Sequence, residues 1–403
     1  MGRGQQYRRY WAATTISEFG DSFTAVALPI VAFAITGSAL VVGAVVAMQQ
    51  ATSLLFGIAA GVITDRGSRG RIMILADVGC VIATLALALS SWHGGLTVGV
   101  LLLEAGLIGT LSVVHESADA AALPMLVPPT DLLRASGQLQ AGLFAALAVG
   151  PVLAGLAITA VGVPLAFFVD GATYAAAAVL LAGIAPLFVA VRRQRARLRS
   201  LWAEARAGYR ALLGDRLMIR ALVLANACNL LVITVEGQLV PYARRELGVG
   251  PLGIGLYTAL AAVAALAATW TASRGRAVSG SVMLAATVPA AASVFVAGVW
   301  PTLVTAALAM VSVGGCSGIV NAHFRAARQR RFGLDVQGRV AMSARFTLYA
   351  PQLVALTAGG ALADRFGSAT LFIVLAVLAG LLIVVSAAGG VSELREEMTL
   401  PAG

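Results

Sequence analysis

Twelve apolar stretches, each long enough to cross a bilayer, occupy most of this 403-residue chain, and arginines collect in every second gap between them. A spanning helix needs about 20 mostly apolar residues to cross about 30 Å of hydrocarbon. The stretches are longer than the roughly 10-residue alternating segments of a membrane β-barrel. With 59% hydrophobic and 11% charged residues, a soluble domain could not cover so much apolar surface. The pattern predicts an all-α integral membrane protein with 12 transmembrane helices.

The formal charge of +10 raises the question of a nucleic-acid partner, but its placement answers it. All 28 basic residues are Arg, and most lie in short gaps, at Arg3 to Arg9, Arg66 to Arg71, Arg134, Arg192 to Arg220, Arg274 and Arg276, Arg325 to Arg339, and Arg395. The alternate gaps hold only Arg244, Arg245 and Arg365. By the positive-inside rule the Arg-rich gaps are cytoplasmic, which predicts a multi-pass bacterial inner-membrane protein with both termini in the cytoplasm and no nucleic-acid partner. Cys80, Cys228 and Cys316 fall inside apolar spans without metal-like spacing and read as small buried hydrophobes. His93, His115 and His323 stand alone, so no metal site and no cofactor is expected. The N-terminus leads into a long span without a small-residue cleavage site and reads as a retained first helix.

The expected spans are 10–36, 40–63, 71–91, 96–122, 132–160, 164–190, 217–243, 251–272, 278–298, 301–323, 339–363 and 368–389. They divide into an N-terminal six-helix half (1–190), a cytoplasmic linker (191–216) and a C-terminal six-helix half (217–403). In the linker Leu198, Leu201, Trp202, Ala205, Tyr209 and Leu212 recur at helical spacing with Arg on the other faces, which predicts an amphipathic helix on the inner leaflet. The halves also echo each other. Leu28-Pro29 and Ser68-Arg69-Gly70-Arg71 in the first correspond to Val240-Pro241 and Ser273-Arg274-Gly275-Arg276 in the second. Internal repeats with the site at their interface are a common plan of secondary transporters.

Between spans two and three stands Gly61-Val62-Ile63-Thr64-Asp65-Arg66-Gly67-Ser68-Arg69-Gly70-Arg71. Gly61 permits close helix approach, Asp65 can face the positive end of a neighbouring helix, and Arg69 and Arg71 can pair with acids or lipid phosphate. Span five carries Gly142 and then Ala148-Val149-Gly150-Pro151-Val152-Leu153-Ala154-Gly155, where small residues allow close packing and Pro151 bends the helix. The first motif resembles the cytoplasmic signature of the major facilitator superfamily. The second (Gly150, Pro151, Gly155) is similar to the Gly-Pro motif of its antiporter branch, with Ala154 where the fuller form has Gly. Further matches run almost end to end: Gly20-Asp21 with Ala27-Leu28-Pro29, Asp65-Arg66 with Ile74-Leu75-Ala76-Asp77, Ala122 to Pro128, Phe167 to Asp170, and Ala361 to Gly367. Together they resemble the drug:proton antiporter subfamily that includes macrolide-efflux and enterobactin-export proteins. The resemblance implies the major facilitator fold, alternating access and antiport. It also implies a cytoplasmic gate at Gly61, Asp65, Arg66, Arg69, Arg71, Asp77 and Asp119. Where relatives carry an Arg before the Ala-Leu-Pro stretch this chain has Asp119, with Glu116 and His115 nearby. The superfamily's span-four Arg is replaced by the Leu103-Glu104-Ala105-Gly106 region, so coupling schemes built on that Arg do not carry over.

Charges in hydrocarbon are costly, so acids within spans face the bundle interior and are candidates for function. They are Asp21, Glu104, Asp170 and Glu236. A proton-coupled exporter needs a carboxyl that takes up and releases a proton between its access states, and Asp21 and Glu104 are the first choices. Asp77 is expected to pair with Arg69 or Arg71. Arg345 reads either as a counter-charge or as an Arg that snorkels to the interface. Cavity-lining polar candidates for substrate are Gln49, Gln50, Gln138, Gln140, Asn226, Asn229, Gln238, Tyr349 and Gln352. The set suits a large amphiphile better than a sugar. The chain is therefore expected to be a monomeric, proton-driven exporter of an amphiphilic small molecule, in contact with protons, substrate and lipid. An importer or uniporter of the same fold is the first alternative and a non-transporting receptor or scaffold the second. No nucleophile–base constellation or phosphate loop points to an enzyme.

Overall fold

The computed structural model describes residues 3–119, 122–184, 198–274 and 277–397. Its elements in chain order are α1 Arg3–Thr36, α2 Ala39–Arg66, α3 Arg69–Trp92, α4 Val98–Asp119, α5 Leu123–Leu126, α6 Leu132–Ala160, α7 Val163–Ala182, α8 Leu198–Gly214, α9 Arg216–Arg245 and α10 Pro251–Arg274. Then come β1 Ala277–Ser279, α11 Gly280–Val299, α12 Leu303–Arg331, α13 Leu334–Phe366, α14 Ser368–Ala388 and β2 Arg395–Glu397. Among the described residues 12 helices are long and apolar enough to span a membrane. The protein is thus a multi-pass membrane protein. Its backbone satisfies the rule that hydrogen bonds in lipid must be made within the segment.

Several expected boundaries differ: α1 begins at Arg3 where the first span was expected from 10, α7 ends at Ala182 where the sixth was expected to run to 190, and α13 begins at Leu334 where the eleventh was expected from 339. The fourth span was expected to run to 122, but α4 ends at Asp119 and the short α5 follows, with Pro124 at its first turn. The tenth was expected to end at 323, but α12 continues to Arg331. Arg is a good helix former, so the helix continues beyond the apolar stretch, and three Arg in its last turn suit the negative end of the helix dipole. Sharp turns join several helices. Gly37 (φ +64°) and Gly367 (φ +91°) supply the positive φ that a side chain would resist. Trp92 and Trp300 are exposed at the Arg-poor helix ends, and Trp11 and Trp270 are exposed nearer the Arg-rich ends. Such placement fits an aromatic belt at each interface. The Arg274 guanidinium lies 3.4 Å over the Trp270 ring.

The chain divides into two compact units. The first is Met1–Arg195 with Val249–Ala259, and the second is Ala196–Gly248 with Leu260–Gly403. In the first, α1 is gripped from both sides through glycines. A Cβ at Gly142 or Gly150 of α6 would press on Thr15 or Ser22 of α1, and a Cβ at Gly20 of α1 would overlap the Thr173 hydroxyl of α7. Gly109 of α4 lies against Gln49 and Thr52 of α2 in the same way. The Gly-Pro motif makes a reciprocal contact inside this unit. Gly155 meets the backbone of Pro251 and Leu252 at the start of α10, and Gly255 meets the carbonyl of Pro151.

In the second unit α9 packs on α12, α13 and α14. Tyr242 stacks on Phe372 at 4.3 Å, and its hydroxyl donates to Ala297 O at 2.6 Å. Gly314 and Gly318 of α12 lie against Ala261 and Ala265 of α10. Cys228 and Cys316 are buried with their sulfurs 3.3 Å apart. The chain then closes with a strap the sequence did not announce: β2 pairs antiparallel with β1, Ala277 opposite Glu397 and Ser279 opposite Arg395. Val391 and Leu394 are fully buried, and Arg220 reaches Glu393 at 3.7 Å. The start of the expected linker lies outside the described residues. Its described helix, α8, packs on α13: Leu212 is fully buried, Gly208 sits against the Arg339 backbone, and the Tyr209 hydroxyl is 3.3 Å from Thr347 Oγ1. Of the apolar residues expected on the inner leaflet, Leu212 and Tyr209 thus meet protein, and the side chains of Leu198, Leu201, Trp202 and Ala205 lie outside the described residues.

Asp215 caps α9 by accepting from Met218 N at 3.0 Å and receives the Arg331 guanidinium at 2.6 Å. Partial burial alone would raise its carboxyl. The hydrogen bonds from Arg331 and from the backbone outweigh that and hold it below the usual carboxylate range. A lowered pKa contributes stability that is complete above the unfolded value of about 4 and fades as pH falls through the folded one. Asp215→Asn keeps a capping side chain but loses the ion pair. It should melt below the wild type at neutral pH, with the gap closing below about pH 4 as the wild-type carboxylate protonates. A constant gap across pH would show that the pair contributes through shape alone.

Candidate functional site

Three of the four acids that stood out for lying in apolar spans are in the first unit, and two of them converge on one cavity. Asp21 is near the middle of α1, Asp170 about two turns into α7, and Glu104 about two turns into α4. Asp21 and Asp170 line a cavity of about 240 Å³, together with Thr24, Gln49, Glu116 and Tyr174. The remaining lining is small or apolar, including Ala25, Ile108 and Val113. Helix geometry explains the convergence. Asp21 and Thr24 are three residues apart on α1, Asp170 and Tyr174 four apart on α7, and Ile108, Ser112 and Glu116 four apart on α4, so each helix presents one face.

Hydroxyls hold the two central carboxylates. Tyr174 donates its phenol to Asp21 Oδ1, and Thr24 donates to Asp170 Oδ2 at 2.5 Å. Asp170 is 1% exposed and its Oδ1 has no hydrogen-bond partner. Glu104 is 5% exposed and neither of its carboxylate oxygens has one. Asp170 is within electrostatic reach of both Asp21 and Glu104, and Asp21 is within reach of Glu116, His115 and Asp77. At the Arg-rich end His115 Nδ1 lies 2.7 Å from Asp77 Oδ1, and Tyr10 donates to Asp119 Oδ1 at 2.7 Å. The result is a file of ionisable groups along the first unit, from Glu104 through Asp170 and Asp21 to the His115–Asp77 and Tyr10–Asp119 pairs.

Several residues of this file had not been singled out. Tyr174 and Thr24 stood outside the sequence candidates, and Glu116 entered them only as a neighbour. The available signal was spacing, since Tyr174 is one turn from Asp170 and Thr24 one turn from Asp21. The partner His115 for Asp77 was also unforeseen, because the basic residues in view were Arg69 and Arg71. Arg69 is buried. Arg71 is exposed, and the side chains of Asp65 and Arg66 and the surroundings of Gly61 lie outside the described residues.

The substrate candidates scatter. Of the set only Gln49 lines the cavity. Gln50 is half-buried, Gln138 and Gln140 are exposed, and the Gln138 carbonyl accepts from Trp11 Nε1 at 3.0 Å. In the second unit Asn226 donates to Leu222 O of its own helix at 3.0 Å, Asn229 is half-buried, and Gln238 and Gln352 are buried. Arg345 is exposed, its guanidinium 5.6 Å from the centre of the Tyr349 ring. Glu236, the fourth of the acids, is exposed on α9 and belongs to the second unit. Arg245, an Arg in an Arg-poor gap, is paired with Asp364 at 2.9 Å.

Known proteins bear on this arrangement in two ways. A sequence model described as Major Facilitator Superfamily matches residues 10–351. A search among curated proteins by sequence finds no match. Among solved structures, the chain is similar to a bacterial homologue of the iron transporter ferroportin in an inward-facing state, with TM-score 0.74, 17% identity and coverage of 96% of this chain and 100% of that one. It is also similar to a bacterial homolog of the human lysosomal transporter Spinster, inward-facing and unoccupied (TM-score 0.70, 13% identity, 96% of each chain). A third is the nucleoside transporter NupG (TM-score 0.72, 11% identity, 95% of this chain and 98% of that one). At these identities the structures speak for the fold, and the sequence match carries the family. The protein is a membrane transporter, and the chain belongs to the Major Facilitator Superfamily.

Proposed function

We propose that this transporter is a proton-coupled exporter of an amphiphilic small molecule, such as an antibiotic, a biosynthetic product or a siderophore. It would work in the bacterial inner membrane with both termini cytoplasmic, as the Arg asymmetry indicates. The observation that carries the reading is the file of buried carboxyls in the first unit, three of which, Asp77, Glu104 and Asp170, have oxygens without hydrogen-bond partners. A carboxylate sealed from water must be neutralised by a proton or a counter-ion, and a group that exchanges the two couples their movements. Alternating access then releases the substrate outward while a proton enters. The Gly-Pro motif, engaged through Gly155 and Gly255, supports antiport over uniport.

Inverted vesicles test this directly, because their outer face is the cytoplasmic one. With an acid lumen, adding a transported amphiphile should release protons, read by a pH-sensitive dye, and nigericin should abolish its accumulation. Accumulation that ignores the gradient, or that occurs only in right-side-out vesicles, would overturn the export reading. Orientation has its own check: single cysteines placed at Arg199 and Gly403 should react from the cytoplasmic side. The native cysteines leave little background, since all three are buried. Labelling from outside intact cells would reverse the assigned topology.

A further inference from the structure

We propose that Cys228 and Cys316 form a redox site, a dithiol that a small uncharged peroxide converts to a disulfide inside the membrane. The inference stands apart from the export reading and holds whatever the chain carries. The chain has three cysteines, all free. Two of them, 88 residues apart in sequence, meet across a helix seam, where the Cys316 thiol donates to the Cys228 sulfur at 3.3 Å. Neither is more than 2% exposed. Cys228 is the thirteenth of the 30 residues of α9, and Cys316 the fourteenth of the 29 of α12. At about 1.5 Å per residue both lie about 18–20 Å from the start of their helix, near half-depth. Gly314 and Gly318, two residues to either side of Cys316, hold α12 close on the α10 backbone at this level.

The pair is not part of a zinc site. Among the described residues no group of three or more His, Cys, Asp or Glu side chains could hold a metal ion, and structural zinc takes four ligands. What two touching thiols can do is join. Disulfide sulfurs stand about 2.05 Å apart, so this pair has about 1.2 Å to close. Burial makes a lone thiol slow to react and shuts out charged or bulky reagents. It leaves open a small uncharged oxidant such as hydrogen peroxide, and the contact supplies a second sulfur that completes the reaction. In the first step one sulfur attacks a peroxide oxygen. The S–O bond forms, the O–O bond breaks, and the departing hydroxide takes the thiol proton and leaves as water. In the second step the neighbouring sulfur attacks the sulfenic acid. The S–S bond forms, the S–O bond breaks, and a second water carries off the remaining thiol proton. The dithiol loses two electrons and the peroxide gains them. Because the resolving thiol is already in contact, the sulfenic acid is captured before a second peroxide reaches it. The same burial keeps out the soluble thiol reductants of the cytoplasm, which must bring a thiolate to the sulfur. A bridge formed here therefore persists.

The test exposes the full chain in lipid nanodiscs to hydrogen peroxide, quenches with catalase, unfolds the protein in dodecyl sulfate and labels it with a maleimide. The free thiols should fall from three to one, the intact mass should drop by two hydrogens, and digestion should give Cys228 joined to Cys316. A charged phosphine should reduce the bridge after unfolding and not before it. Cys80, buried in the first unit, is the internal control and should still take up label. Cys316→Ser should abolish the bridge, and Cys316→Ala does the same service should the serine variant fail to insert. Three thiols surviving peroxide, bridging to Cys80 in comparable yield, sulfinic acid at Cys228 in place of a bridge, or ready reduction in the folded protein would overturn the site. No substrate is added and no gradient imposed, so the outcome is independent of the transport assay.

Discussion

Replacing Asp21 by Asn is expected to abolish gradient-driven accumulation while substrate binding and gradient-free counterflow partly survive. Asp21 sits near the middle of α1, lines the cavity and accepts the Tyr174 phenol. The amide preserves the shape and can still accept that hydrogen bond, so the pocket keeps its form. What it cannot do is exchange a proton. Coupling between two ligands is typically about 1–3 kcal/mol, or 5–150-fold, and removing the ionisable group takes its share to zero. Glu104→Gln is the companion variant, because Glu104 is buried, lacks hydrogen-bond partners and acts electrostatically on Asp170. Proteoliposomes with an imposed pH gradient, compared with counterflow, read the two activities apart. If both single variants and the double variant still concentrate substrate, these carboxyls are structural. Glu236 and Asp170 would then be the next coupling candidates.

The largest effect on stability is expected at the seam between α1 and α7. A Cβ at Gly20 would overlap the Thr173 hydroxyl and stand 2.8 Å from Asp170 Oδ1. Thr173 cannot swing away freely, since its hydroxyl donates to Asp170 O at 2.7 Å. Gly20→Val should therefore destabilise by about 1–3 kcal/mol or more, as overpacking does. Gly137→Ala on α6 is the matched control, because nothing lies within 4 Å of its added carbon. It should be neutral or stabilising by up to about 1 kcal/mol through helix propensity. Thermal unfolding in detergent measures both. Combining Gly20→Val with Thr173→Ala should recover part of the loss, and an additive double variant would place the strain elsewhere.

The spans were legible because length and apolarity are properties of a stretch and need no partner to be read. The short helix α5 was not, because four residues carry no helical periodicity. The strap β1–β2 was invisible for a similar reason: three-residue strands carry no periodicity, and their pairing joins residues more than a hundred apart. At the site, Asp21, Asp170 and Glu104 stood out because an acid in an apolar run is conspicuous. Tyr174 and Thr24 did not, being common in membrane helices, and only the partner across the helix seam gives them their role. The polar residues gathered as substrate candidates illustrate the converse. Asn226 turns back to its own backbone and Gln138 is exposed, choices that spacing along one helix does not decide.

The strap also alters what counts as the end of this domain. A reading by hydropathy would stop at Ala388, and a truncation there would seem harmless. Yet a Cβ at Gly280 would strike the Val391 carbonyl, Glu393 lies 3.7 Å from the Arg220 guanidinium, and Val391 and Leu394 fill space beside α9 and α11. Removing this segment would strip a partner from β1 and bare the first turn of α11. A shortened expression version should thus keep everything through Glu397. Reporters fused closer in would pull on the same helix junction they were meant to leave alone.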